Sequence, residues 1–396
     1  MNALLAALAV IAIVLLLEGH LRLRAVLARR PPPPPAPTTA RSVTVICPVR
    51  GLDVGSEENI RSFLEMEYPG PLELLFVLDS EDDPATPAIR RLIAERRSTA
   101  ARVEVLIAGP PPPQRTGKLN AMLVGVAAST GELLAFNDSD TRPEKDLLAR
   151  LAAALEERPD AGCTFAPVYA AADAPLAGDV AYGLLMNAWY GPTVAWAAEP
   201  RGELPFIMGQ LMVFRRPALD AVGGVGCAEG QFVDDMYIGK CIAAAGWKNV
   251  VIEAPLRVVT GGMGPWMFLR TFRRWMLFSE GGLPFRFTRP NWVRGVACWL
   301  AWGVGIAAVV TGDWVSLALA ALAVGLSVWT QAWLQRACHG PRIALHQLWV
   351  PAALPLVGAL VALSARLNRR VDWRGRSYDL DAEARLGAKG SPAAGT

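Results

Sequence analysis

The sequence lacks the cysteine spacings that mark zinc sites and disulfide frameworks. Its six cysteines are scattered, with no Cys-x-x-Cys pair: Cys47, Cys163, Cys227, Cys241, Cys298 and Cys338. We interpret them as buried or lipid-facing thiols in a reducing compartment. The net charge is only +3, and the chain has no long basic arm. The composition therefore predicts no nucleic-acid partner, and basic residues beside apolar segments fit an anionic membrane surface better.

Positive charge is also missing ahead of the first apolar run, residues 3–17, and arginines from Arg22 to Arg30 follow that run instead. A cleaved signal peptide carries its charge in the opposite order. We therefore predict an uncleaved transmembrane anchor over residues 1–20, with its C-terminal end in the cytoplasm. A basic, proline-rich linker follows over 21–40, and its prolines 31–35 predict a stiff polyproline spacer.

Three further apolar stretches lie near the C-terminus. Residues 295–311 and 314–334, separated by Asp313, are long enough to form a transmembrane hairpin. The third stretch, 345–363, either crosses or turns back within the membrane. A crossing would place the arginines after residue 365 outside, so Pro351 and Pro355 favour a broken, re-entrant segment. The membrane region thus covers 291–366, and 367–396 form a cytoplasmic tail that we expect to be disordered from about Arg385.

Between these parts, residues 41–264 alternate between strand-like and helix-like segments. The predicted strands are 42–47, 72–78, 101–107, 132–136 and 161–167. The predicted helices are 58–65, 87–97, 118–128 and 145–157. Such alternation predicts an α/β domain with a mostly parallel sheet, whose ligands bind at the carboxyl ends of the strands.

Acidic residues follow two of these predicted strands. Asp79 closes the second strand, and Asp138 and Asp140, separated by one serine, follow the apolar run 133–136. Carboxylates at a sheet edge can hold a divalent metal and a nucleotide diphosphate, although Asp and Ser are also ordinary turn residues. Lys118 stands at the start of the next predicted helix, where free backbone N–H groups and a cation favour phosphate; an ordinary helix start is the alternative.

Two more segments carry candidate catalytic residues. Asp234 and Asp235 precede an apparent helix. An acid at that position fits a helix cap, and Asp234 is the first candidate for it. Asp235 would then be free to act as general base toward an acceptor hydroxyl. Residues 265–290 predict an interfacial amphipathic helix. Its arginines fit anionic lipid or a diphosphate leaving group, with Trp275 packing against the pocket wall. Residues 182–196 predict either an aromatic acceptor groove or ordinary core.

These motifs occur in the order and spacing found in ceramide glucosyltransferases. The shared segments are Cys47-Pro48-Val49-Arg50-Gly51, Glu65-Met66-Glu67-Tyr68-Pro69, Asp82-Asp83-Pro84-Ala85, the acidic step at Asp138, Gly209 with Arg215-Arg216, Asp234-Asp235, Arg274-Trp275 and Trp373-Arg374-Gly375-Arg376-Ser377-Tyr378. The chain thus resembles a bacterial-type member of glycosyltransferase family 21, whose soluble domain is similar to the family 2, GT-A type. The resemblance covers nearly the whole chain, including the N-terminal anchor and the C-terminal membrane region.

The resemblance implies that a sugar is transferred, with inversion, from a UDP-sugar to the primary hydroxyl of a membrane lipid such as ceramide. Glucose is the first candidate for that sugar. Asp79, Lys118, Asp138, Asp234 and Arg273 would bind substrate, and Asp140 would hold Mg²⁺ or Mn²⁺. Asp235 would be the base, and Arg274 with Trp275 would close over the diphosphate.

Two positions depart from the family pattern. Thr271 replaces the usual Gln or Arg, so Arg270 or Arg273 would substitute for that side chain. Asp140 is present, although some ceramide enzymes keep only the first Asp of the acidic step.

The resemblance leaves several functions open. A hopanoid or other lipid glycosyltransferase using UDP-GlcNAc or another UDP-sugar shares every motif. A processive polysaccharide synthase would need more membrane spans and an intact Gln at position 271. A nucleotide-sugar binder without catalysis would not need Asp235. With the arginines after the first apolar run, the positive-inside rule predicts a catalytic domain on the cytoplasmic face of the membrane. For a bacterial-type member, that membrane would be the inner membrane.

Overall fold

The computed structural model describes residues 1–32, 34–95, 98–283 and 285–387. Pro33 of the predicted spacer and Arg96 and Arg97 of a predicted helix lie outside these ranges. The strands are β1 (Val43–Val49), β2 (Leu72–Leu78), β3 (Arg102–Ile107), β4 (Leu133–Asn137), β5 (Thr141–Arg142), β6 (Ala161–Phe165), β7 (Val168–Ala171), β8 (Glu203–Leu204), β9 (Leu211–Arg215), β10 (Lys248–Val251), β11 (Leu256–Val259), β12 (Arg370–Trp373) and β13 (Arg376–Asp379).

The helices follow the same chain order and fall into a short set and a long set. The shorter helices are α2 (Ser56–Leu64), α3 (Ala85–Glu95), α4 (Gly117–Ala128), α5 (Leu147–Glu157), α6 (Ala177–Leu184), α7 (Gly191–Ala198), α8 (Arg216–Asp220) and α9 (Asp234–Ala244). The longer ones are α1 (Asn2–Ala28), α10 (Pro265–Gly282), α11 (Phe285–Thr311), α12 (Trp314–Ala337) and α13 (Trp349–Leu367). A π-helical turn, Leu185–Tyr190, joins α6 to α7.

The main sheet has the order β3-β2-β1-β4-β9-β6-β10-β8 within the described residues. β1 to β4 are mutually parallel, as the alternation of strands and helices predicts, whereas β9 runs antiparallel between β4 and β6. These strands read as continuous apolar runs because helices cover both faces of the sheet. Ile46, for example, is fully buried and lies between Leu75 and Phe136 of its two neighbours.

A second, smaller sheet with the order β5-β11-β7 stands beside the end of β4. β5 begins one residue after Asp140 and pairs antiparallel with β11. The backbone N–H of Val259 donates to the Asp140 carbonyl at 2.9 Å. The acidic step, residues 138–140, therefore leaves the main sheet at its carboxyl edge. The smaller sheet holds it in place there.

Four described segments are long and apolar enough to cross a membrane: Asn2–Ala28, Phe287–Thr311, Trp314–Ala337 and Leu345–Leu367. Small buried residues of α1, α11 and α12 pack together, including Ala12, Ala301 and Ala323. The first helix continues eight residues past its predicted end at residue 20. Arginine is a good helix former, and Arg22 pairs with Glu18 one turn earlier, so the basic segment extends the helix.

The third apolar stretch forms a continuous helix, α13, and the predicted break at Pro355 does not occur. Proline lacks the N–H that would bond the carbonyl four residues earlier. That carbonyl, on Pro351, instead accepts a hydrogen bond of 2.7 Å from Nε2 of Gln331 on α12. A neighbouring helix thus satisfies the freed backbone group, which lets the helix pass through the proline.

The C-terminal tail folds back onto the α/β domain. β12 and β13 form an antiparallel hairpin directly after α13. The N–H of Leu386 donates to the Gly230 carbonyl at 2.9 Å, so residues 385 and 386, the first two of the segment predicted to be disordered, pair with the α/β domain. Residues 388–396 lie outside the described ranges.

Candidate active site

A cavity of 1380 Å³ opens at the carboxyl ends of β1, β2 and β4. Asp79, Lys118, Asp138, Asp140, Asp234 and Asp235 line it together with Arg274 and Trp275. The predicted parallel sheet explains this grouping, because parallel strands deliver their following residues to one edge. Of the predicted site residues, Arg273 does not line the cavity.

Lys118 joins two of the carboxylates. Its Nζ lies 2.7 Å from Oδ1 of Asp138 and 3.8 Å from Oδ2 of Asp234. Helix α4 positions it, because the Thr116 side chain caps the helix by accepting the Leu119 N–H at 3.1 Å. Burial alone would lower the pKa of Lys118, but the charges of Asp138 and Asp234 outweigh it and raise this pKa above its usual value. Lys118 therefore stays charged and holds the acids in place.

Burial and neighbouring charges strongly raise the pKa values of two cavity carboxyl groups, those of Asp140 and Asp235. Burial, followed by the charges of Asp138 and Asp53, raises the pKa of Asp140 to about 7. Burial, followed by the charge of Asp234, raises the pKa of Asp235 to about 7. Strongly raised pKa values in a cleft are typical of functional carboxyls.

The start of α9 separates the roles of its two acids. The helix begins at Asp234 and its N-cap residue is Val233, so the predicted cap by Asp234 does not form. Asp234 is buried, with 9% of its side chain exposed, and faces Lys118. Asp235 accepts the Met236 N–H at 2.8 Å through Oδ1 and is half-buried at the cavity wall. Asp235 is thus the more accessible of the pair.

Asp79 at the end of β2 is held by two arginines. Nη1 of Arg50 lies 2.7 Å, and Nη2 of Arg376 3.1 Å, from Oδ2 of Asp79. Sequence reasoning identified Asp79 but missed these partners, as well as Asp53 and Arg374 further along the same wall. Arg50, Arg374 and Arg376 lie in the motifs at residues 47–51 and 373–378, but the sequence alone assigned them no individual role. Asp53 lies two residues beyond the first motif.

Helix α10 presents two of its predicted residues to the cavity and turns the third away. Arg274 lies over the Trp373 ring, 5.7 Å from its centroid, and Trp275 packs edge-on against Tyr190 with centroids 5.2 Å apart. Arg273 instead donates to the carbonyl oxygens of Arg370, at 3.0 Å, and of Asn368. Successive residues of an α-helix are rotated by about 100°, so Arg273 points in a different direction from Arg274 and Trp275. The predicted substrate contact of Arg273 is therefore replaced by a structural one.

Position 271 also differs from the expectation that a neighbouring arginine replaces the family's Gln or Arg. Thr271 itself lines the cavity, whereas Arg270 is exposed outside it and Arg273 binds the tail. No arginine next to Thr271 therefore reaches into its place within the described part of this wall.

The π-helical turn supplies aromatic residues to another wall. Tyr182, Trp189 and Tyr190 line the cavity, whereas Met186 is fully buried in the core, so the segment is both groove and core. A π turn leaves carbonyls free for other partners, and such turns are frequent at functional sites. Here Nη2 of Arg294 on α11 donates to the Ala188 carbonyl at 2.8 Å.

The opposite end of the cavity is apolar and formed by membrane-type helices. α11 contributes Val296 and Trp299, and α13 contributes Leu354, Gly358 and Ala362. The two helices are joined by the Trp299 indole, whose Nε1 donates to the Pro355 carbonyl at 3.1 Å. One continuous space therefore runs from the carboxylates to the segments able to enter a bilayer.

Comparisons with known proteins agree with this architecture. A mannosyltransferase from Pyrobaculum calidifontis, solved in complex with GDP-Man and Mn²⁺, matches with a TM-score of 0.56 and 20% identity, covering 91% of this chain and 98% of that one. At that identity the likeness concerns the fold. The fold is that of the GT-A class of glycosyltransferases.

Sequence comparison narrows the class. The model of glycosyl transferase family 21 matches residues 4–386, and the chain belongs to that family. Ceramide glucosyltransferase 3 of Caenorhabditis elegans is 22% identical over 244 residues, 61% of this chain and 51% of that protein. Ceramide glucosyltransferase 1 of the same organism is 23% identical over 250 residues, 62% and 51% respectively. The chain thus spans about half the length of these relatives.

Proposed function

We propose that this protein transfers a sugar from a UDP-sugar to the primary hydroxyl of a membrane lipid, with inversion at the anomeric carbon. The continuity of the cavity carries the proposal. Its acidic end has charges for a nucleotide diphosphate, and its other end is lined by α11 and α13. A soluble acceptor would not need a reaction space that reaches into apolar helices. The family membership and the ceramide glucosyltransferase relatives favour glucose as the sugar and ceramide as the lipid.

Asp235 is the proposed general base. It would accept the proton of the lipid hydroxyl as that oxygen bonds to the anomeric carbon and the bond from this carbon to the diphosphate oxygen breaks. The raised pKa supports this role, because a base works best with a pKa near the operating pH. Asp234, which is buried against Lys118, would orient the start of α9 instead.

The remaining predicted residues would bind the nucleotide sugar. Asp79 is fixed at the strand edge, where its carboxylate suits the uracil or ribose edge. Arg274, held over Trp373, would neutralise the departing diphosphate, and Trp275 packs against Tyr190 in the same wall.

The acidic step suits a divalent metal. Oδ1 of Asp140 is buried without a hydrogen-bond partner among the described residues, and negative charge crowds it. The described residues contain no group of three His, Cys, Asp or Glu side chains placed for a metal. Mg²⁺ is usually held by one or two carboxylates together with substrate phosphates, which fits Asp140 with Asp138. A bound Mg²⁺ or Mn²⁺ would supply charge neutralisation of the diphosphate.

The charge pattern supports a cytoplasmic catalytic domain. Arg22 and Arg24 lie in the C-terminal half of α1, Arg336 is near the end of α12, and Arg366 is near the end of α13. Nε2 of Gln347, just before α13, donates to Pro175 of the catalytic domain at 2.8 Å, and α13 continues into β12 on the same domain. Both ends of α13 thus meet one side, which supports a helix that does not cross the bilayer.

Mass spectrometry of reaction products tests the proposal. Purified protein in lipid vesicles is given UDP-glucose, UDP-galactose or UDP-GlcNAc with ceramide and hopanoid acceptors side by side. We expect a lipid mass increased by one hexose, with ceramide and UDP-glucose as the best pair. A product on the hopanoid alone would keep the reaction class and change the acceptor. No glycolipid with any pair, from folded protein that binds UDP, would contradict the proposal.

A further inference from the structure

The tip of the β12–β13 hairpin enters the acidic end of the cavity. We call this end, where the nucleotide would bind, the nucleotide end. Strands β12 and β13 are joined by Arg374 and Gly375, with φ values of 52° and 72°. A two-residue turn with both φ angles positive matches the right-handed twist of a hairpin. A positive φ is common for glycine but uncommon for arginine, so the backbone conformation of Arg374 costs conformational energy. Residues with such strained backbones are concentrated at functional sites.

Arg374 is connected to the acidic step through Asp53. Its Nη1 lies 2.7 Å from Oδ1 of Asp53, and its Nη2 donates to Oδ2 at 3.0 Å. The same Oδ2 accepts the hydroxyl of Ser139, between Asp138 and Asp140, at 2.9 Å. About a third of the Arg374 side chain remains exposed, 32%, and it lines the cavity. The guanidinium is thus fixed yet accessible to a ligand.

Arg376, on the far side of the same turn, reaches the end of β2. It forms the ion pair with Asp79 and passes over the start of α4 at Gly117, where a Cβ atom would collide with its guanidinium. Two positive charges from the tail therefore enter a wall otherwise built by the sheet.

An aromatic cluster docks the hairpin beside the predicted base. Phe232, which is 3% exposed, packs against Trp373 and Tyr378 with centroid separations of 5.8 and 5.2 Å. The Phe232 N–H also donates to the Ala384 carbonyl at 3.3 Å. Because Phe232 lies two residues before Asp234, the tail and the start of α9 form one packed unit.

We infer that the β12–β13 hairpin is part of the nucleotide-sugar site and that Arg374 binds the diphosphate. This inference rests on the proposed function. A guanidinium matches phosphate oxygens with two parallel hydrogen bonds, and its charge does not depend on pH in the working range. Lys118, the cation that the sequence offered for phosphate, is already held by two carboxylates. Asp53 keeps Arg374 in position at the edge of the acidic step until the diphosphate contacts it.

Binding of UDP and of uridine to the full-length protein distinguishes a diphosphate contact from a structural one. We expect Arg374→Ala to weaken UDP binding about 10- to 100-fold, because hydrogen bonds to charged groups are lost. Uridine, which has no phosphate, is expected to bind as it does to the unchanged protein. Arg370→Ala is the matched control, since Arg370 lies in the same hairpin but is exposed and outside the cavity.

Asp53→Asn separates the two partners of the ion pair. In our proposal it keeps most of the UDP affinity, because Arg374 still carries the charge that meets the phosphates. Equal losses from Arg374→Ala and Asp53→Asn, or equal losses of UDP and uridine, would assign Arg374 a purely structural role and overturn the inference. So would unchanged UDP binding by Arg374→Ala. If the unchanged protein binds no UDP, the proposed function itself fails.

Discussion

The two ends of the cavity are built by opposite chemistry. At the nucleotide end, ion pairs fix the first acid after each of two strands, as Lys118 fixes Asp138 and as Arg50 and Arg376 fix Asp79. At the opposite end, which we call the membrane end, α11 and α13 line the cavity with residues such as Val296, Gly358 and Ala362, which offer no charged group to a ligand. Charged ligands need positioned partners, whereas apolar chains need only room away from water. In the proposed reaction, the cavity therefore specifies the nucleotide more sharply than the acceptor chains.

The largest expected effect separates chemistry from binding at the nucleotide end. Asp235→Asn removes the proposed base, so we expect sugar transfer to fall about 100- to 10,000-fold. UDP binding should change little, because Asp235 contacts the Met236 N–H rather than Lys118. Transfer assays and UDP titrations on the same preparation measure the two quantities.

The pH dependence provides a second readout for Asp235. The groups facing it are Asp234, Lys118 and Asp138, and burial with Asp234 raises its pKa to about 7. A base acts in its ionised form, so kcat should rise as pH increases toward 7 and level off above it. Asp235→Asn should lose this rise. Transfer at the unchanged rate by the variant would remove Asp235 from the mechanism.

A smaller effect is expected when the metal is withdrawn. Chelation should weaken UDP binding about 10-fold or more, ~1.4 kcal/mol, and added Mg²⁺ or Mn²⁺ should restore it. Asp140→Asn should abolish the difference between metal-loaded and chelated protein, because the amide lacks the negative charge of this buried, unpartnered carboxylate. Uridine binding is the control, since it has no diphosphate to bridge to a metal. Equal UDP affinity with and without metal would contradict the assignment.

The sequence predicted the acidic half of the site because its signals are local. Strands such as Leu72–Leu78 and Leu133–Asn137 appear as apolar runs, and the acids directly after them share one edge in any parallel sheet. Arg374 and Asp53, by contrast, are 321 residues apart, and no periodicity connects them. The sequence alone does not distinguish the roles of Arg273 and Arg374. The rotation of α10 turns Arg273 away from the cavity, and the fold of the tail brings Arg374 into it.

The long apolar helices show the same limit in another form. Pro355 predicted a break because proline removes a backbone hydrogen bond. Whether that loss breaks a helix depends on a partner elsewhere, and here Gln331 of α12 supplies it. Length and composition therefore predicted the apolar segments, while their course depended on contacts between helices.

The smallest expected effect tests the membrane end alone. Ala362→Trp would fill the space between α11 and α13, so we expect the KM for the lipid acceptor to rise about 5-fold, ~1 kcal/mol, with UDP affinity unchanged. Leu360→Trp is the matched control, because Leu360 is 64% exposed on the same helix and points away from the cavity. Steady-state kinetics with a lipid acceptor and UDP titrations distinguish the two ends. Equal effects of both tryptophans would show that helix α13 is disturbed generally, and no effect of Ala362→Trp would place the acceptor chains outside this space.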